Sequence, residues 1–166
     1  VDERRDPVKS TDAALDYLTK LYRQFGSWYL AAAAYNTGEG RVARILRDHA
    51  GGARGDESLY WDISRQLPRE TRDYVPLMLA AGHIAKEPAK YGFGELRYQE
   101  PLAYDTVRVP GGTTFDVVAR AAGVERAEIR DLNPHLVRAV TPPGRAWDVR
   151  IPKAQARTFA ANFARV

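Results

Sequence analysis

The sequence contains no cysteine. Disulfides, thiolate nucleophiles and cysteine-ligated metals are therefore excluded. Histidine is scarce. His49, His83 and His135 stand far apart without ligand spacing, so neither a metal site nor a histidine-based triad is expected. No apolar run approaches the roughly 20 residues of a membrane span. HExxH, P-loop, dinucleotide and GxSxG motifs are all missing. The chain opens at Val1 with the charged string "VDERRDP" and shows no signal peptide. That start reads as a cut inside a longer protein, with any targeting signal upstream.

The 166 residues are 45% hydrophobic and 28% charged, the composition of an ordinary globular protein of one or two small domains. The net charge is +4. An anionic polymer, lipid or nucleic acid could each answer to that sign. The basic residues are interspersed with Asp and Glu and never run five together, which reads as a mixed solvated surface.

The first half reads as helical. Ser10 or Thr11 is suited to cap a helix carrying Ala14, Leu15, Leu18, Leu21, Tyr22 and Phe25 at three- and four-residue spacing. Gly26 stops it, and Ser27 caps the next helix. A third carries Val42, Ile45 and Leu46 on one face. "GGARGDES" is a loop, "SLYWDI" a short turn, and "LPRETRDYVPLMLAAGHIAK" a further helix with Pro68 in its first turn. Pro76 should kink or weaken that helix. Residues 91–103 lose the helical period and read as a linker. Then follow a strand ("YDTVRVP"), two short helices, a second strand ("AWDVRIP") and a closing helix over 153–166.

One stretch, "LAAAAYNTGEG", bears chemistry. Alanines 31–34 let neighbouring helices approach on every side, so this helix should run through the middle of its domain. Its end delivers Tyr35 and Asn36 to a turn opened by Gly38 and Gly40. A hydroxyl on a flat ring beside an amide suits a sugar. The same residues also read as a helix stop with a core Tyr and a capping Asn.

The residues here carry a resemblance. "RRDPVKSTDAALDYLTKLYRQFGSWYLAAAAYNTGEGRV", followed by "LPRETRDYV", resembles the C-terminal half of the catalytic domain of lytic murein transglycosylases, most similar to the membrane-bound D type of the lysozyme-like superfamily. Ala34, Tyr35, Asn36, Thr37 and Gly38 match A-Y-N-x-G. Glu70 to Val75 match E-T-R-x-Y-V. The resemblance implies that Tyr35, Asn36, Gly38 and Tyr74 contact the glycan. It implies cleavage of the MurNAc-β-1,4-GlcNAc bond by one Glu. That Glu protonates the glycosidic oxygen, then serves as base while the 6-hydroxyl closes a 1,6-anhydro ring. In the family this Glu lies in an E-S motif upstream of the aligned "RRD", and no E-S pair stands upstream of that string here. Glu39, in the glycine turn, and Glu70, flanked by Arg69 and Arg72, are set aside as substitutes, since guanidinium neighbours favour a carboxylate over an acid. No catalytic residue is therefore expected in this chain; a truncated start accounts for that, with the general acid upstream. A non-catalytic peptidoglycan-binding protein is the alternative.

The second half has its own resemblance. Residues 104–152 are similar to a LysM module, a βααβ unit that holds N-acetylglucosamine chains between two loops. Gly112, Thr113 and Thr114 stand where the family has Gly-Asp-Thr, and Asn133, Pro134 and His135 end the second helix. These six are the expected sugar contacts. Together the resemblances imply a mainly α chain: a partial lysozyme-like helical domain over 1–90, a linker over 91–103, a small α+β LysM-like module over 104–152 and a C-terminal helix. They imply peptidoglycan glycan strands as partner, no nucleic acid, no metal and no cofactor. They place the parent in the periplasm or cell envelope, on the outer membrane through an upstream anchor, and they allow association with a missing N-terminal half.

Overall fold

A computed structural model describes residues 1–94 and 96–166. Its secondary structure is mainly helical with one two-stranded sheet, the fold class expected. Two compact units divide the chain: Asp12–Tyr98, and Val1–Thr11 together with Gln99–Val166. The sequence reading counts the first eleven residues with the helical domain, whereas their packing groups them with the C-terminal unit. No described helix is long and apolar enough to cross a membrane.

The helical unit is built from α1 (Pro7–Phe25, from Asp12 onward), α2 (Trp28–Thr37), α3 (Glu39–Ala50), α4 (Ser58–Ile63) and α5 (Arg69–Lys86). Helix α1 begins earlier than Ser10 or Thr11. Asp6 Oδ1 accepts from the Val8 N–H at 3.0 Å and the Lys9 N–H at 3.2 Å, and Pro7 suits the first turn, where no N–H is needed. Of the expected α1 stripe, Leu21 and Phe25 are buried while Leu15 and Tyr22 face solvent. "SLYWDI" forms a short helix rather than a turn, and it buries Tyr60 and Ile63.

Helix α2 takes the central place its alanines require. Leu30 to Ala34 are all buried, and α3, α4 and α5 all pack against α2. Two groups fix its start. Ser27 Oγ accepts from the Leu30 N–H at 3.1 Å, and the Glu57 carboxylate accepts from the Trp28 and Tyr29 N–H groups, each at 2.9 Å. Its end is Gly38, at φ 98°, a conformation few side chains tolerate. Gly40 does not share that role; it lies inside α3.

Helix α5 starts just after Pro68, which occupies the capping position rather than the first turn. Pro76 lies within the helix without ending it. Proline lacks the N–H that would reach the carbonyl four residues back. That carbonyl is Arg72 O, and it accepts from the buried Tyr60 hydroxyl at 2.9 Å instead. The defect is thus satisfied by α4.

The linker expected over 91–103 includes Glu95, which lies outside the described residues. The described residues from 92 to 103 form neither helix nor strand.

In the C-terminal unit, β1 (Tyr104–Val109) pairs antiparallel with β2 (Trp147–Pro152), with Val107 opposite Val149. Between them lie α6 (Phe115–Ala122) and α7 (Arg126–Leu132), and α8 (Ala156–Asn162) follows. This is the βααβ order read from the sequence. Val107, Val109, Val149 and Ile151 bury one sheet face in a core with Phe115, Val118, Ile129 and Phe159. The closing helix starts at Ala156, after a turn.

Candidate functional site

The two motifs of the helical unit, 34 residues apart in sequence, meet in space. Asn36 Oδ1 accepts from the Thr71 hydroxyl at 2.8 Å. That bond sets the amide orientation and directs Nδ2 to Glu70 Oε1, at 3.3 Å. Thr71 is 1% exposed, so its hydroxyl must be satisfied internally; Asn36 does this. Asn36 sits in the last turn of α2, and Glu70 and Thr71 in the first turn of α5. One Nδ2 hydrogen of Asn36 remains for a ligand.

Tyr35 is 40% exposed. Its ring lies 5.9 Å from that of Tyr17 on α1. The Tyr17 hydroxyl donates to Glu39 Oε2 at 3.4 Å, and Lys20 Nζ lies 3.4 Å from the same oxygen. Glu39 thus sits in a surface ion pair with Lys20. Glu70 is held by the Asn36 amide, while Arg69 pairs with Asp73 at 3.7 Å instead. Both carboxylates are thus engaged by neighbouring polar groups. Tyr74, one turn beyond Glu70, is half-buried against the core. The sequence reading missed Tyr17 and Thr71 as participants. Tyr17 falls one turn before the buried Leu21, a polar-tipped ring on an apolar stripe, and that is the signal for it.

The six residues expected in the C-terminal unit divide in two. Gly112 is exposed in a turn at φ 82°. Thr113 is closed on the backbone: its N–H donates to Thr141 Oγ1 at 2.9 Å and its hydroxyl to Pro110 O at 2.8 Å. Thr114 caps α6 through the Val117 N–H. Pro134 is half-buried. The expectation fails for Asn133 and His135, which are sealed inside at 0% and 4% exposure. Asn133 Nδ2 donates to Ile129 O at 2.8 Å and Arg150 O at 2.7 Å, and its Oδ1 accepts from the Arg150 N–H at 2.9 Å. It stitches the end of α7 to β2 and has nothing left for a sugar. His135 Nδ1 lies 3.4 Å from Asp6 Oδ2.

Asp6 is wholly buried, and Arg150 lies 2.9 Å from it. Burial pushes the Asp6 carboxyl upward, but bonds from Arg150 and the Lys9 N–H, with the Arg150 charge, hold it below the ordinary range. Burial lowers His135 and keeps it neutral; the Asp6 charge opposes this, and Arg150 reinforces it.

Fold and site define a class: a helical unit whose A-Y-N and E-T-R segments are joined through one amide, followed in the chain by a βααβ unit. Comparison with known families agrees. Residues 1–55 match the Transglycosylase SLT domain, and residues 103–166 match the LysM-like domain of lytic transglycosylase MltD. The first stretch is thus similar to a transglycosylase domain and the second to an MltD-type LysM-like domain. Among individual proteins, it is 35% identical over 164 residues to membrane-bound lytic murein transglycosylase D of Escherichia coli strain K12, covering 98% of this chain. The protein of the same name from Escherichia coli O6:H1 gives the same figures. The chain spans about a third of the length of these relatives (35%).

Proposed function

We propose that this chain forms one wall of the glycan cleft of a peptidoglycan lytic transglycosylase, with a LysM-like module that helps hold the strand. The reaction is non-hydrolytic cleavage between N-acetylmuramic acid and N-acetylglucosamine with 1,6-anhydro ring closure. The observation that carries this reading is the Thr71–Asn36–Glu70 chain. A fixed amide, with one N–H remaining beside an exposed Tyr35, suits the acyl carbonyl and hydroxyls of an N-acetylated sugar. Gly38 leaves the approach open, since nothing lies within 4 Å of where a Cβ would project. Tyr74 supports the same wall from α5.

The chain's own residues position rather than protonate. Glu39 and Glu70 are both committed to other groups, so the proposal leaves general acid and base to a Glu outside these residues. No cofactor is required, because proton transfer and ring closure need only a carboxyl and alignment. The domains follow the reading above: a catalytic-domain half over 1–90, a linker over 91–103 and a LysM-like module over 104–152. The relatives' membrane-bound names support a parent at the cell envelope with peptidoglycan strands as its partner.

The test is anhydromuropeptide release from purified peptidoglycan. In the full-length enzyme, Asn36→Ala should cut release about 10- to 100-fold through lost alignment. Thr71→Val, which frees the amide but keeps it, should cost less. Release by the 166-residue chain alone would overturn the assignment of the acid to another segment.

A further inference from the structure

The C-terminal unit holds a cleft of about 430 Å³ on the outer face of its sheet. Val107 and Val149 point into the core, so the alternate residues Thr106, Arg108, Asp148 and Arg150 point outward and form the cleft floor. Lys9 and Glu3, from the packed N-terminal segment, form one side, and Arg145 and Trp147 another. The expected sugar contacts at Gly112 to Thr114 do not line this cleft.

Its charges are arranged unequally. Lys9 pairs with Glu3, Arg108 with Asp148 at 3.0 Å, and Arg150 with the buried Asp6. Arg150 is also stacked over Tyr104, 4.8 Å from the ring centre. These pairs fix the floor and leave little charge unspent. Arg145 differs: it has no carboxylate within 4.0 Å among the described residues, and its guanidinium lies over the Trp147 ring at 4.8 Å. A stacked guanidinium is oriented in advance while its N–H edge stays available for a bidentate acceptor. Thr106 adds an exposed hydroxyl on the floor.

We infer that this cleft binds the C-terminal carboxylate of a short peptide, of the kind that peptidoglycan strands carry. Arg145 takes the carboxylate, Thr106 supplies a further hydrogen bond, and the Arg108–Asp148 pair meets the peptide's polar groups. The volume suits a small ligand of several residues. The peptide's source rests on the proposed function; the carboxylate chemistry rests on the cleft alone. A module reading peptide here and sugar elsewhere would report the cross-linking state of the strand.

The experiment titrates the 166-residue chain with a peptidoglycan tetrapeptide, the same peptide amidated at its C-terminus, and a peptide-free N-acetylglucosamine trisaccharide. Calorimetry gives affinity, and the Trp147 indole N–H resonance reports the place. The expected result is binding by the free-acid peptide that shifts Trp147, is weakened about tenfold or more by amidation or by Arg145→Ala, and is weakened less by Thr106→Val. Arg145 is exposed, so its removal leaves the fold intact. Peptide binding indifferent to amidation and to Arg145→Ala overturns the inference. So does a trisaccharide that shifts Trp147 while the peptide does not. Either result leaves the transglycosylase reading standing. Failure of anhydromuropeptide release by the full-length enzyme would remove that reading and leave the carboxylate site intact.

Discussion

In the helical unit the fully buried polar side chains are Ser27 and Thr71, one capping α2 and the other tied to Asn36. In the C-terminal unit they are Asp6, Asn133, His135 and Thr141, which bridge segments far apart in the chain. The helical unit satisfies most of its backbone within helices and fills its centre with alanine. The smaller unit has short elements and long loops, so side chains must pair the backbone that helices and strands leave open. Most exposed large apolar side chains, such as Trp28, Trp61, Leu77 and Phe93, belong to the helical unit. Both units have an apolar core, and the C-terminal one adds buried polar stitches, so perturbing them should give different signatures.

The largest effect should come from cutting a stitch. Asn133→Ala leaves the Arg150 N–H and the Ile129 and Arg150 carbonyls without their side-chain partner in a buried place. The loss should be about 3 kcal/mol. Denaturation followed through Trp147 should shift, while a transition followed through Trp28 and Trp61 stays in place. A shift of both would mean that the two units unfold together.

A smaller effect tests the helical unit. Tyr60→Phe removes the donor to the Arg72 carbonyl that Pro76 leaves open, and should cost about 1 kcal/mol. In a Pro76→Ala background an N–H at position 76 takes over that carbonyl, so the same change should cost much less. A double-mutant cycle with coupling below about 0.5 kcal/mol would disprove the compensation.

This pair also marks what the sequence could tell. The alanine run, the Ser27 cap and Gly38 made α2 legible, because capping and close packing are local. Pro76 was legible as a defect, but its remedy was not, since Tyr60 comes from another helix. The start of α1 went wrong for a similar reason. Ser10 and Thr11 are good local caps, yet Asp6 takes the role while also bonding Arg150, 144 residues away. Asn133 and His135 were read as groove residues because they follow α7. Only the tertiary fold turns them inward. In the candidate site both motifs were visible, and Asn36, read as a sugar contact, is partly accessible. Its bond to Thr71 depended on α2 and α5 lying side by side.

Acidification should separate the units next. His135 has its folded pKa below the ordinary 6.5. As pH falls below 6.5 the unfolded chain therefore takes up a proton that the folded unit refuses, and stability declines. Asp6, lowered below 3.8, keeps its full contribution above that value and loses it as the pH falls from there through its folded pKa. The charged groups around His135 are Asp6, Arg150, Lys9 and Glu3. The Trp147-reported transition should thus weaken between pH 7.5 and 5, and His135→Gln should flatten that slope. An unchanged slope in the variant would mean that His135 does not carry it.

The smallest expected effect concerns the backbone. In the helical unit every positive φ among the described residues falls on glycine, as at Gly26, Gly38 and Gly51. The C-terminal unit places Ala139 at φ 54° and Ala154 at φ 69°. A left-handed alanine costs about 1–2 kcal/mol from Cβ contact with the following carbonyl. Glycine relieves that contact but gives the unfolded chain more freedom, which offsets about 0.4–1 kcal/mol. Ala154 is exposed in the turn after β2, so its methyl adds little packing to lose. Ala154→Gly should therefore stabilise the C-terminal unit by about 0.5 kcal/mol and leave the helical transition unmoved. Ala139 is half-buried against the core, so there the lost methyl contact should cancel the gain. Equal stabilisation at both positions would mean that backbone strain alone sets the balance. A loss at Ala154 would mean that the turn tolerates its alanine without strain.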